Sequence, residues 1–343
     1  MAKSKKKKKA FGVKDIAELS GVSIATVSRV LNNPELAAPE TRAKVLKVVK
    51  ENNYISLQAS KKPGSHAAGI TKSIVIFILD MNNPYYVDLI DRLNYLAFEN
   101  NYALIICNAK NDYEREAKYY EYCKSIHTSA IIYTAGTARE NLGLNEDDDF
   151  DAPIILLDRE GFNKRNSYGI IPDNRKGSEL LVDYLYKLNH RKIGYISGPP
   201  NMMPARERLN GFLQAMQKLG LEVPDHYIKQ GHFTVKGGTD CFDYFYSMSD
   251  APTAIMAAND LSARGFIMRA NSLGVKIPDE FSVCGFDGVD SDSFYPVITS
   301  IKQDTKIIAE TIFNIILNAG KAGTPRRTLL DVDMSKGVTC HKI

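Results

Sequence analysis

From Ser73 onward the chain alternates apolar runs with helix-period segments, in two successive series. No other feature restricts the fold as tightly. The run SIVIFIL, which starts at Ser73, shows no polar alternation, so both faces of that strand must be covered. A helical segment follows over about residues 86–100, with Leu89, Leu93, Leu96 and Ala97 on one side. YALIICNA, a helix through 116–125, SAIIYTA and PIILLDR complete the first series. After Asp173 the pattern restarts with helix 176–188, KIGYISG, helix 205–219, TAIMAAN, helix 261–271 and FSVCGFD. Such alternation predicts parallel sheets covered by helices. Two series predict two similar lobes, with a ligand crevice at the carboxyl ends of their strands.

The first 72 residues are of another kind. They hold 15 Lys and Arg against 5 Asp and Glu, a net of +10, while the remaining residues hold 29 against 35, a net of −6. The overall +4 conceals this division. A cationic end on a mildly anionic body points to a polyanion-binding module attached to a larger domain with separate work. By charge alone, nucleic acid and an acidic membrane surface both fit. The unbroken run Lys5 to Lys9 reads as a disordered arm that attracts phosphates without reading sequence.

Within this module, Val13, Ile16, Ala17 and Leu19 recur at helical spacing. Gly21 suits a left-handed helix-closing turn, and Ser23 can cap the next helix. That second helix runs over about 24–31 with Val27, Val30 and Leu31 inward, and Asn32-Asn33-Pro34 ends it. A third starts near Pro39, buries Val45, Leu46 and Val49, and stops at Asn52-Asn53. Two short helices joined by a glycine turn make a helix-turn-helix. A plain three-helix bundle satisfies the same spacing. The second helix presents Ser23, Ile24, Ala25, Thr26, Ser28 and Arg29. Small residues permit close approach to a groove, hydroxyls bind phosphates, and an arginine can grip a guanine edge.

Several classes are excluded. No apolar run approaches the roughly 20 residues that span a bilayer. The lysine-rich start lacks the apolar stretch of a secretory leader, so a cytoplasmic location is expected. Cys107, Cys123, Cys241, Cys284 and Cys340 are scattered without a CxxC pair, which reads as free buried thiols rather than a zinc site or disulfides. No dinucleotide fingerprint, Walker A, nucleophile elbow or HExxH motif appears. The six histidines do not cluster, and His190 reads as structural. No cofactor, metal or catalytic residue is expected.

The segments VKDIAELSGVSIATVSRVLNN (Val13 to Asn33) and PETRAKVLKVVKENNY (Pro39 to Tyr54) resemble the N-terminal signature of the LacI/GalR family of bacterial transcription regulators. The resemblance implies a recognition helix in the major groove. It implies base reading by Ile24, Ala25 and Arg29, and phosphate positioning by Ser23, Thr26, Ser28, Asn32 and Tyr54. Gly12 and Ala38 stand where that family usually has helix-capping Thr and Ser. Its hinge normally folds on DNA and wedges a leucine into the minor groove. Here Pro63 falls at the wedge position, and proline within a helix removes a hydrogen bond and clashes with the preceding turn. Two alternatives follow: a short turn with Leu57 as a substitute wedge, or a flexible basic tether.

The body is also similar to this family, through MNNPYY (81–86), LLDR (156–159), PDNRKGSELLVDYL (172–185), HRKIGYISGPP (190–200), ARERLNGF (205–212), AANDLSARG (257–265), VKIPDEFSVCGFDG (275–288) and TSIKQD (299–304). The implied fold is a small all-α helix-turn-helix head on an α/β core of two Rossmann-like lobes, periplasmic-binding-protein-like of type I. The implied effector site comprises Tyr85, Tyr86, Asp158, Arg208, Asn259, Asp287 and Gln303, with Asp173, Arg206 and Asp260 in a second rank. Arg206 and Asp260 fit internal ion pairs or caps equally well, and Asp287 also fits a cap after its strand. Ser129-Ala130 and Asn189 depart from the family pattern at positions read as structural. Residues 145–151, NEDDDFD, read as a solvated loop.

The expected division is an arm at 1–10, a head at 11–58, a hinge at 59–72 and a core at 73–343. Lobe one takes about 73–172 and 304–328, and lobe two takes 173–303 and 329–343. The expected function is a sequence-specific transcription regulator, a repressor, controlled by a small-molecule effector in the cleft. Its expected partners are a double-stranded DNA operator, a sugar or nucleobase-like effector, and a second copy of itself or a higher oligomer. No membrane is expected, and the chain is placed with the nucleoid in the cytoplasm. The alternative is a cytoplasmic ligand sensor whose altered hinge has weakened its operator coupling. A hydrolase or phosphorylase on the same core lacks a recognisable nucleophile and base.

Overall fold

The computed structural model describes residues 13–32, 37–51, 72–110, 112–134, 136, 151–159, 166–289 and 295–343. The expectations for the arm, Gly12, Tyr54, Leu57, Pro63 and residues 145–150 lie outside them. The chain divides into two compact units, 1–71 and 72–343.

The first unit contains α1 (Val13–Ser20), α2 (Ile24–Asn32) and α3 (Pro39–Glu51). Ile16 and Ala17 of α1, Val27 and Val30 of α2, and Val45 and Val48 of α3 form its core. Gly21 joins α1 to α2 at φ +67°, a conformation that a Cβ would strain. Ser23 caps α2, its Oγ accepting from Thr26 N at 3.1 Å. One inward assignment, Leu46, is corrected. Leu19 and Leu46 are exposed. In α3 the buried pair is Val45 and Val48, three residues apart, which turns Leu46 about 100° away from the core.

The second unit has two six-stranded sheets. The first lobe contains β1 (Lys72–Ile78), α4 (Pro84–Glu99), β2 (Tyr102–Asn108), α5 (Tyr113–Ser125), β3 (Ala130–Tyr133), β4 (Ile154–Leu157) and β5 (Ser167–Pro172). The second contains α6 (Asn174–Lys187), β6 (Ile193–Ser197), α7 (Met203–Lys218), β7 (Ile228–Gln230), α8 (Val235–Tyr246), β8 (Ala254–Ala257), α9 (Asp260–Ser272), β9 (Ser282–Asp287) and β10 (Thr299–Lys302). The chain then returns for α10 (Thr305–Asn318) and β11 (Arg327–Leu330), and ends with β12 (Asp333–Ser335).

The sheet orders are β11-β5-β4-β3-β1-β2 and β12-β10-β9-β8-β6-β7. Both contain the same doubly wound core, in which the second strand lies outside the first and later strands extend the other way. All pairs are parallel except β12 on β10. The order reverses between β1 and β3 in one lobe and between β6 and β8 in the other, so a crevice opens at each reversal. Two bounds shift from the sequence reading. Lys72 already belongs to β1. Leu329 and Leu330 pair with Ile171 and Pro172, so the last crossing between lobes falls beyond Leu330.

Helices cover both faces of each sheet. In lobe one, α4 and α10 bury Leu89, Leu93, Ile308 and Ile312 on one face, and α5 places Tyr120 and Cys123 on the other. In lobe two, α6 and α7 bury Leu181, Leu185, Phe212 and Met216, opposite Phe242, Phe245 and Phe266 of α8 and α9. Helix α8 was not foreseen. Its Gly237 and Gly238, with Gly265 of α9, let backbones touch. A Cβ there would stand 1.9 Å from Gly231 O, 2.0 Å from Ser262 O and 1.9 Å from Val235 O respectively.

Candidate functional site

In the first unit, helix α2 buries Val27 and Val30 and leaves its other side to solvent. Ser23, Ile24, Ala25 and Arg29 are exposed there, and Thr26 and Ser28 are half-buried. The Ser23 and Thr26 hydroxyl oxygens lie 2.8 Å apart at the start of the helix. Asn32 is the last residue of α2, and its side chain is outside the description.

In the second unit, a cavity of about 440 Å³ lies between the lobes. Seven of the ten residues expected at an effector site line it: Tyr85, Tyr86, Asp158, Arg208, Asn259, Asp287 and Gln303. Strand ends and helix starts deliver all but Arg208, which stands in the second turn of α7. Asp158 follows β4 at φ +54°, and Asp287 closes β9 at φ +119°. Both conformations are uncommon for a side chain other than glycine. Tyr85 and Tyr86 begin α4 and meet edge-to-face at 5.3 Å between ring centres. Asn259 caps α9 by accepting from Ser262 N, while its amide donates to Phe233 O at 3.1 Å.

The lobes meet electrostatically at Arg208. Its guanidinium donates to Asn174 Oδ1 at 2.8 Å, Ala258 O at 2.7 Å and Asp287 Oδ1 at 3.3 Å. It lies 3.7 Å from Asp158 Oδ2 and packs over the Phe286 ring at 3.8 Å. Asn174 in turn donates to Asp158 Oδ1 at 2.8 Å, and Gln303 Nε2 donates to Asp287 Oδ1 at 2.8 Å. Gln303 Oε1 is buried without a partner among the described residues. Burial raises the Asp158 pKa to about 6 against the opposing pull of Arg208 and the Asn174 hydrogen bond. Burial likewise raises Asp287, again opposed by Arg208. The Tyr86 hydroxyl, raised by burial, bonds to Thr134.

Three expected residues are not in the lining, and each has a different place. Asp173 caps α6, accepting from Lys176 N at 3.0 Å. Arg206 is half-buried on α7, two residues and about 200° of helix rotation from Arg208. Asp260 is buried behind the wall, where it accepts from Ser300 Oγ at 2.6 Å and Val289 N at 3.0 Å. Conversely, Asp80, Asn83, Lys110, Thr134, Met202 and Phe233 line the cavity without having been foreseen. His232 and Phe233 come in through consecutive left-handed residues, φ +56° and +61°. The sequence carried one faint sign of the Phe233 contact. Gly198 leaves room for its ring, which a Cβ would meet at 2.3 Å. His190 is buried within lobe two, 2.9 Å from both Thr253 Oγ1 and Ser282 Oγ, as a structural residue. The five cysteines are free. Among the described residues no group of His, Cys, Asp and Glu could hold a metal, and no helix is long and apolar enough to cross a membrane.

Two family descriptions match the chain. "Periplasmic binding proteins and sugar binding domain of LacI family" matches residues 71–336, and "Bacterial regulatory proteins, lacI family" matches residues 12–56. Among curated relatives, the HTH-type transcriptional repressor PurR of Salmonella arizonae is 30% identical over 308 residues, 89% of each chain. That of Vibrio vulnificus is 29% identical over 306 residues, covering 89% of this chain and 90% of the relative. The fold is shared with the lac repressor dimer bound to operator and an anti-inducer, at TM-score 0.69, 24% identity and 97% and 100% coverage. It is also shared with a CelR–cellobiose complex, at TM-score 0.66, 21% identity and 96% and 100% coverage. A ribose-bound regulator from Enterococcus faecium matches 79% of this chain and all of its own, at TM-score 0.70 and 20% identity.

Proposed function

The chain belongs to the LacI family and is an effector-controlled, DNA-binding regulator of transcription; from that premise we propose a repressor whose effector is a sugar held between the lobes. One observation carries the reading. Arg208 stands between Asp158 of lobe one and Asp287 of lobe two, at strand ends of both sheets. A polyhydroxylated ligand that exchanges hydrogen bonds with this set touches both lobes at once. Tyr85, Tyr86 and Phe233 offer ring faces, and Asn259 and Gln303 offer amides. A ligand bound this way changes DNA affinity only by binding two arrangements of the lobes unequally.

In this reading, residues 1–10 attract phosphates, 11–58 read the operator and 59–71 join head to core. Ile24, Ala25 and Arg29 read bases, and Ser23, Thr26, Ser28, Asn32, Tyr54 and Leu57 complete the DNA contact. Asp173, Arg206 and Asp260 support the cleft from outside its wall. The protein works as a homodimer in the cytoplasm, where its DNA is. Exposed apolar residues support the self-association. Val87, Tyr95 and Phe98 line one side of α4 at 52%, 66% and 67% exposure, and Tyr295 is 92% exposed. Two heads on one dimer fit half-sites about one helical turn apart.

The decisive experiment has two stages. A thermal-shift panel of neutral sugars and nucleobases identifies the ligand, since a ligand at 100 times its Kd adds about 2.7 kcal/mol of stability. Anisotropy on selected operator DNA, with and without that ligand, then measures the coupling. A sugar that stabilises the core and shifts operator affinity supports the reading. A sugar that binds without moving operator affinity favours the uncoupled sensor instead.

A further inference from the structure

We infer that the cleft selects an uncharged, hydrogen-bond-donating effector and rejects one whose enclosed part carries a phosphate or carboxylate; the inference rests on the sugar reading above. Three features of the wall lead there.

The first is charge. Two carboxylates, Asp158 and Asp287, are buried at the cavity against one buried guanidinium, Arg208. That guanidinium is already held by Asn174, the Ala258 carbonyl and both carboxylates. An entering anion meets a net negative floor whose cation is engaged, and like-charge approach in a buried site is strongly unfavourable.

The second is the polarity of what remains to be bonded. Gln303 turns its amide nitrogen to Asp287 and leaves Oε1 buried with no partner among the described residues. With the carboxylate oxygens of Asp158 and Asp287, the wall presents acceptors that want donors. Hydroxyls or amines satisfy them, whereas a phosphate or carboxylate brings acceptors only.

The third is the helix starts. A helix N-terminus is the usual backbone cradle for an anion. Four helices begin at this cavity, and each start is blocked or capped by a residue of the lining. Asn83 accepts from Tyr85 N ahead of Pro84 on α4, Thr234 accepts from Gly237 N on α8, and Asn259 accepts from Ser262 N on α9. On α7 the apolar Met202 precedes a first turn that contains Pro204, which has no N–H to give. The other basic side chains of the lining, Lys110 and His232, are at the exposed rim, where solvent screens any charge.

The test uses the full-length chain and matched ligands: D-ribose with D-ribose 5-phosphate, and D-glucose with D-glucose 6-phosphate and D-glucuronate, followed by calorimetry. Glucuronate replaces a hydroxymethyl by a carboxylate of similar size, so it separates charge from bulk. A neutral sugar should bind, with its anionic derivatives at least about 100-fold weaker. An anionic derivative that equals or exceeds its parent overturns the inference. Asp158→Asn should narrow the gap between glucose and glucuronate, and a gap unchanged in that variant overturns the electrostatic cause. If no member binds while the chain still binds operator DNA, the sugar reading itself falls, and that outcome is distinct from a reversed preference.

Discussion

Arg208 shows how one side chain can organise a cleft built from two lobes. Its partners come from the residues just after β4 and β8, from α6 and from the end of β9, so no local stretch of sequence contains the arrangement. Replacing it with Met would leave two buried carboxylates without their cation. We expect a loss of about 3–5 kcal/mol, read by urea denaturation of the body. Asp158 adds a pH dependence with a definite sign. Its folded pKa of about 6 lies above the unfolded value. Its stabilising contribution is therefore complete below about pH 4. It is lost as the pH rises through 6. Between those values the unfolding free energy should fall more steeply for the native chain than for Asp158→Asn. Parallel profiles would place the ionisation elsewhere. In the head, Arg29 is exposed on α2, and Arg29→Ala should weaken operator binding by about 1–3 kcal/mol while relaxing one base position. A binding-site selection that returns an unchanged preference would remove Arg29 from base reading.

At the scale of elements, strongly periodic segments were legible and closely packed ones were not. Strand β1 and helices α4, α6, α7 and α9 lie where apolar spacing put them, within two residues at most ends. Helix α8 was not foreseen; Gly237 and Gly238 lower its helix propensity, and they are there for contact between α8, α9 and the Gly231 loop. The two effects can be set against each other. Helix propensity alone predicts that Gly238→Ala gains up to about 1 kcal/mol. Packing predicts the reverse, because the added Cβ would lie 2.0 Å from the Ser262 carbonyl oxygen, far inside any tolerated contact. Overpacking of this kind loses about 1–3 kcal/mol or more, so the variant should melt earlier. Strands β5, β7, β10, β11 and β12 escaped for another reason. They are three to six residues long, and several alternate or lie at edges, so they lack the continuous apolar run that marks a buried strand.

At the scale of the whole molecule, charge and function divide at about the same place in the chain. The head segment carries +10 and the body −6, so attraction to DNA is confined to one end. Six lysines stand in residues 1–10. Deleting those residues should weaken binding to every DNA sequence alike and flatten the slope of log affinity against log salt. A loss restricted to one operator would instead assign the arm a reading role. The two lobes share one strand order although their sequences differ, which doubles the reversal point and faces two sets of strand ends across one cavity. Six of the seven expected residues there follow a strand or start a helix, and the seventh, Arg208, stands in the second turn of α7.

The sequence alone determined the class of the head, the parallel layering of the body and seven of the residues that line the cleft. These depend on periodicity, turn chemistry and contiguous motifs, which are local. The tertiary structure alone decided which polar side chains face the cavity and which are bonded away from it. Asp173, Asp260 and Asp287 are all carboxylates at an end of an element. Only the third reaches the cavity, because Lys176 N holds the first and Ser300 with Val289 N holds the second. A buried acid is placed by whichever donor satisfies it, and donors 29 and 40 residues away, as Val289 and Ser300 are from Asp260, leave no trace in local pattern.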